Sequence, residues 1–111
     1  MTEDLAARRC KPCRKGAAPL DAAAAQALAR EVPGWSFRDE ATRIERGYPF
    51  EDFASAFVFV ERVAAIAEDA KHHPDITFGW GYVRLSLQTH IINGLHENDF
   101  ILAARCDAAM E

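Results

Sequence analysis

The alternation of apolar and polar positions divides the chain into seven elements behind an arm. Residues 1–18 show no apolar periodicity and contain Pro12 and Gly16, so they read as an N-terminal arm, with a single domain over residues 19–111. Asp21 is placed to cap a helix over Ala22 to Glu31 whose packing face is Ala25, Leu28, Ala29 and Val32, and Pro33-Gly34 stop it. Trp35 then anchors the core. Trp35 to Phe37, a polar turn at Arg38 to Glu40, and Thr42 to Phe50 form a hairpin in which Ile44, Tyr48 and Phe50 recur at period two. Arg46 shares their parity, so its head group must escape to water or find a partner.

From Glu51 to about Lys71 the period becomes helical and predicts a core face of Phe53, Phe57, Val60, Ala64 and Ala67, widened by Phe59, Val63 and Ile66. Pro74 excludes helical backbone at His73 and ends the element. Ile76 to Thr89 alternates again, with Gly81-Tyr82 as a two-residue turn in which glycine supplies positive φ at the first central position. That register pairs Trp80 with Val83, Phe78 with Leu85 and Ile76 with Leu87, all apolar, and leaves Gly79/Arg84, Thr77/Ser86 and Asp75/Gln88 on a polar face. A last helix runs from about Glu97 to Ala109 and packs Phe100, Ile101 and Ala104. The predicted fold is α+β: a four-stranded antiparallel sheet with three helices on one face, in the order α-β-β-α-β-β-α.

Composition supports one globular domain, since the 111 residues are 50% apolar and 27% charged. No apolar run is long enough for a membrane span, and Glu3 and Asp4 stand where a signal peptide would be basic and then apolar, so a cytoplasmic protein is expected. The net charge of −4 argues against nucleic acid as a partner. It is unevenly spread: residues 1–15 hold five basic side chains against two acids, giving +3, which leaves −7 for residues 16–111. Three cysteines, an odd number, fit reduced thiols. Cys10-Lys-Pro-Cys13 lacks the strand and helix of a redox motif and supplies only two zinc ligands, so it reads as a passive part of the arm, outside the pocket. Cys106 reads as a buried thiol.

The chemistry lies in the histidines. Extending the hairpin by one more polar pair sets His73 opposite His90, and directly paired residues have Cβ atoms about 4.5–5.5 Å apart. His72 lies four residues after Glu68, whose carboxylate could orient or charge the ring if the helix extends that far. Imidazoles titrate near neutral pH, so such a cluster can both take and give a proton without a metal. A zinc site is the rival, but the chain has neither HExxH nor a second cysteine pair, and adjacent histidines usually point apart.

The stretch EDAKHHPDITFGWGYVRLSLQTHIINGLHENDF carries an acid (Glu68), HHP (His72 to Pro74), an aromatic (Trp80), TH (Thr89, His90), GL and a later Asp99. Together with PGW at 33–35, IERGYPF at 44–50 and the FASAFVFVERVA helix, it resembles the pterin-4a-carbinolamine dehydratase family over most of residues 19–107. The resemblance implies dehydration of 4a-hydroxytetrahydropterin to the quinonoid dihydropterin, which recycles the cofactor of aromatic amino acid hydroxylases, with no metal and no second cofactor. It implies His72, His73 and His90 as the catalytic histidines, Thr89 as a residue holding the pterin ring, and Glu68 and Asp99 as site residues that position imidazoles. It also implies a homodimer or homotetramer, in keeping with a sheet whose edges are open.

There are departures from the pattern. Trp80 stands where relatives often have Tyr, and the register above turns it toward the core. Lys71 stands where relatives often have Asp or Asn, Ile76 where some carry an aromatic ring, and His96 where Ser or Thr usually caps the last helix, at a cost of at most about 1 kcal/mol. The alternative to an enzyme is a protein-binding dimerisation cofactor that uses the same fold without essential catalysis.

Overall fold

A computed structural model of the chain describes residues 4–12 and 14–110. Its main elements are α1 (Ala22–Ala29), β1 (Ser36–Arg38), β2 (Arg43–Pro49), α2 (Phe53–Ala70), β3 (Asp75–Gly79), β4 (Tyr82–Leu87) and α3 (Glu97–Ala108), with short 3-10 turns at Leu5–Ala7 and His90–Ile92. The strands form one antiparallel sheet in the order β1-β2-β4-β3. Because β2 and β3 each run antiparallel to β4, they run parallel to one another, and α2 crosses between them to give a split β-α-β unit. Among the described residues no helix is long and apolar enough to cross a membrane.

Alternation along β4 sets the layers: Val83, Leu85 and Leu87 are fully buried under the helices, while Tyr82 and Arg84 are exposed. Ile44 and Tyr48 of β2 join the buried face, and Phe59, Phe100, Ile101 and Leu102 cover it from α2 and α3. Tyr48 lies 4.7 Å from Phe59 and 6.3 Å from Trp35 between ring centroids. Asp21 caps α1 by accepting from Ala24 N at 2.8 Å. Asp52 caps α2 by accepting from Ser55 N at 2.8 Å, which holds its carboxyl below the usual range. The first helix ends two residues earlier than its pattern predicts, at Ala29.

Two sequence expectations are corrected here. The β3–β4 turn is Trp80-Gly81, not Gly81-Tyr82: Gly79 pairs with Tyr82, Phe78 with Val83 and Ile76 with Leu85. Moving a two-residue turn by one position displaces every partner by two, so each residue keeps its face while the pairings change. Gly81 takes φ +86° at the second central position, and bare Gly79 makes room for the Tyr82 ring, whose Cε1 would lie 2.9 Å from a Cβ there. Trp80 is consequently a turn residue, 73% exposed, and not a core residue. The second correction is the rotation of α2. Its buried stripe is Ala56, Phe59, Val63 and Ala67, so Ala67 and the widening residues Phe59 and Val63 are buried as expected, while Phe53 and Phe57 of the predicted face are 50% and 40% exposed. Both stripes are apolar, so periodicity alone does not choose between them. Small Ala56 and Ala67 let the helix approach the sheet, and Phe53 and Phe57 instead wrap Phe78 on edge strand β3, at centroid distances of 5.6 and 6.2 Å.

Arg46 finds its partner. Asp107 Oδ1, on α3, accepts from Arg46 Nη1 at 2.9 Å, Trp35 Nε1 at 3.0 Å and the Tyr48 hydroxyl at 2.5 Å. The Arg46 guanidinium also lies over the Tyr48 ring, 4.6 Å from its centroid. Asp107→Ala strands these donors and should lower the unfolding free energy by about 2–3 kcal/mol in urea titrations, against about 1 for Asp107→Asn, which keeps an acceptor. Burial first, and then the hydrogen bond to Asp107, push the Tyr48 phenol far above its ordinary range. A raised folded-state pKa gives stability that is whole below the unfolded value of about 10 and is lost as pH rises beyond it. Stability should therefore fall above about pH 10, and Tyr48→Phe should flatten that alkaline slope.

Candidate functional site

The site forms where the ends of three elements meet the arm. A cavity of about 560 Å³ is lined by Ala70, Lys71, His72 and His73 after α2, by Gln88, Thr89, His90 and Ile91 after β4, by Asn98 on α3, and by Cys10, Lys11 and Pro12 of the arm. That volume suits a small bicyclic molecule.

The termination of α2 aims its two histidines apart. Lys71 adopts left-handed φ 55°, ψ 36°, and the N–H groups of Lys71 and His72 both donate to Ala67 O. His72 then turns inward, its side chain 14% exposed, and His73 outward at 60%. His72 Nε2 lies 2.6 Å from Asp99 Oδ1, and His73 Nε2 lies 2.6 Å from Glu68 Oε2. Glu68 thus reaches His73 rather than His72, because the left-handed residue breaks the four-residue helical spacing. A carboxylate only accepts, so while Asp99 is ionised the neutral His72 ring carries its proton on Nε2 and leaves the Nδ1 lone pair free.

Asp99 is completely buried. Besides His72, it accepts through Oδ2 from the Thr89 hydroxyl at 2.8 Å and from His96 N at 3.0 Å. His96 caps α3, its Nδ1 accepting from Asn98 N at 3.0 Å. Thr89 is fixed in turn by its N–H, which donates to Gly94 O at 3.0 Å. His90 opens the 3-10 turn His90–Ile92, which is closed by left-handed Asn93 at φ 50°. It therefore does not stand in β4 opposite His73: β3 begins at Asp75, β4 ends at Leu87, and the register there is two residues removed from the predicted one. His72, His73, His90 and Thr89 all line the one cavity. Glu68 and Asp99 do not line it and touch it through the histidines that they hold. Among the described residues no three His, Cys, Asp or Glu side chains are grouped to hold a metal ion.

The arm is the part of the wall that sequence reasoning missed. Leu5 is buried, and Arg105 of α3 donates through Nε to Ala6 O at 3.2 Å and through Nη2 to Arg8 O. Buried Asn98 clamps the Lys11 backbone from both sides, accepting from Lys11 N at 2.8 Å and donating to Lys11 O at 2.5 Å. Cys10 thereby becomes a lining residue, contrary to the expectation that the cysteine pair stands outside the pocket. Cys13 falls outside the described residues. No periodicity announces this contact, because one amide side chain replaces a strand partner.

The family described as Pterin 4 alpha carbinolamine dehydratase matches residues 18–109. The chain belongs to that family. It is 50% identical to a protein of Azoarcus sp. (strain BH72) named "Putative pterin-4-alpha-carbinolamine dehydratase", over 96% of this chain and 92% of that one. A protein of the same name from Methylococcus capsulatus is also 50% identical, over 93% and 90% of the two chains. Among solved structures, the transcriptional coactivator/pterin dehydratase from Brucella melitensis superposes with a TM-score of 0.79 at 31% identity, covering 84% of this chain and 99% of that one. A pterin dehydratase-like protein described as a RuBisCO assembly factor in the α-carboxysome superposes at 0.60 with 27% identity, covering 68% and 88%. Within the family frame, Cys10, Lys11 and Pro12 lie before the matched stretch and yet line the cavity.

Burial pushes the Cys10 thiol upward, with the charges of Asp99 and Glu97 adding to the rise and Arg105 opposing it. The Cys106 thiol is pushed up to about 12 by burial and by Asp107. In a Cys13→Ser background, Cys10 should therefore alkylate slowly near neutral pH. Asn98→Ala should release the arm, speeding both Cys10 alkylation and exchange of the Lys11 amide by about tenfold, the value of one net hydrogen bond.

Proposed function

We propose that the protein dehydrates a 4a-hydroxytetrahydropterin to the quinonoid dihydropterin and water, with His72, His73 and His90 as its acid–base groups. The supporting observation is the convergence of three imidazoles on one cavity, one of them held by a fully buried carboxylate. In the reaction the C4a–O bond breaks as the departing hydroxyl takes a proton, the C4a=N5 bond forms, and the N5 proton passes to a base. One protonated and one free imidazole must therefore reach the same ring. His72, with Nε2 turned to Asp99, offers Nδ1 as the proton acceptor. His73, joined to Glu68, and His90 supply the acid. Thr89 gives its proton to Asp99 and keeps oxygen lone pairs for a ring N–H. In this reading the quinonoid product, once a separate reductase has supplied two electrons and two protons to restore the tetrahydropterin, serves an aromatic amino acid hydroxylase in the cytoplasm again as cofactor.

The proposed reaction is a C–O cleavage assisted by proton transfers, with no change of oxidation state, and in this reading it uses no metal or further cofactor. Replacing His73 or His90 by Ala should lower turnover of a 4a-hydroxypterin, generated in situ by a hydroxylase, about 10²-fold or more with an unchanged far-UV spectrum. Wild-type rates in both variants would overturn the catalytic assignment. Dialysis against a strong chelator should leave turnover intact.

Association of copies fits the same molecule. Phe53, Phe57 and Phe78 are exposed beside the free edge of β3, a surface suited to pairing into a homodimer or homotetramer. Light scattering should give a multiple of the 12.3 kDa chain mass. A second reading, as a protein-binding dimerisation cofactor, draws on that patch and on the coactivator and assembly-factor descriptions of the structural relatives. It does not require the histidines, so the histidine variants separate the two readings.

A further inference from the structure

We infer that the pterin taken by this protein carries an anionic group on its side chain, recognised by Lys11 and Lys71. The inference rests on the reading of the cavity as a pterin site and narrows the substrate class. Lys11 and Lys71 are the lysines among the residues that line the cavity, and no carboxylate residue lines it, although the whole chain carries −4. The acids of the site are otherwise engaged: Asp99 with His72, Thr89 and His96, and Glu68 with His73. Asp69 lies on a neighbouring cavity with Arg9 and Arg105.

Both lysines have a fixed backbone. Lys71 is the left-handed cap of α2, and Lys11 is held on both sides by Asn98. Lys11 precedes the stretch matched by the family, so the arm brings a charge that the matched domain does not contain. A neutral pterin ring is recognised by hydrogen bonding and stacking and has no formal charge to pair with two ammonium groups. Those groups suit a phosphate or carboxylate beyond the ring, where a charge-assisted hydrogen bond is about twice as strong as a neutral one.

Calorimetric titration of the full chain with 6-trihydroxypropyl-7,8-dihydropterin, with its 3′-phosphate ester and with inorganic phosphate tests the assignment. The wild type should bind the ester about tenfold more tightly than the parent pterin at about 0.05 M salt, and the preference should shrink at about 0.5 M as screening shortens the reach of the charges. The double variant Lys11→Ala/Lys71→Ala should lose the preference, and Lys11→Arg/Lys71→Arg should keep most of it. Both positions are exposed, so neither variant removes core packing. Equal wild-type affinity for the two pterins overturns the inference and leaves the pterin site standing. A preference that survives in the double alanine variant overturns the assignment to these lysines. Inorganic phosphate binding as tightly as the ester would make this a general anion site and refute a pterin-specific one. Failure of the wild type to bind either pterin overturns the underlying functional reading, and the inference with it.

Discussion

A carboxylate with no exposure to water, placed in the first turn of α3, is the constraint on which the site depends. Asp99 is stable there only if its oxygens are supplied with donors, since an unpaired buried charge costs several kcal/mol. The donors come from three places: the His72 ring after α2, the Thr89 hydroxyl after β4, and the His96 amide at the start of α3 itself. Satisfying one side chain therefore draws the ends of α2, β4 and α3 to a point. The cavity is the space that these ends leave between them once the arm is laid across α3.

Helix α3 organises the molecule at both of its ends. At its start, Asp99 and Asn98 hold the site and the arm. One residue before its end, Asp107 gathers Trp35, Arg46 and Tyr48, and so ties α3 to β2 and to the segment leading into β1. Between them Phe100, Ile101, Leu102 and Cys106 are buried against the rest of the core, and Arg105 points the other way to hold the arm. Polar anchors at both ends with apolar packing between them fix the helix along its axis as well as against the sheet. That is what a site built from side chains near one terminus requires.

Much of this was legible in the sequence, for reasons that can be named. Period-two alternation located β2 and β4, because each has one face in the core. The change of period and Pro74 located the ends of α2, and the resemblance carried by HHP, TH and Asp99 selected the residues that line or support the cavity. What was lost follows from degeneracy. The β3–β4 turn admits glycine at either central position, and both choices keep every apolar residue on the same face, so alternation alone does not show that Trp80 is an exposed turn residue. The two apolar stripes of α2 have the same period and share Ala67, and what separates them is the burial of Ala56 with Phe59 and Val63 in place of Phe53 and Phe57. The Asn98 clamp has no periodic signature at all, which is why Cys10, Lys11 and Pro12 were left outside the pocket.

The left-handed turn at Lys71 explains how two adjacent histidines acquire different chemistry. Had α2 continued, Glu68 would have stood over His72, four residues on, and the His73 ring would have projected about 100° away around the helix, out of its reach. By reversing the backbone at one residue the chain gives His72 to a carboxylate from which water is excluded and His73 to one that is 78% exposed. Water does not reach the first carboxylate and competes for the second, so the His72–Asp99 hydrogen bond is the more persistent of the two. His72 is consequently fixed in one orientation and tautomer by the fold itself, whereas His73 sits in a solvated pair that can open and re-form. Under the dehydration proposed above, the fixed ring suits a base already aimed at its proton, and the solvated one suits an acid recharged from solvent between turnovers.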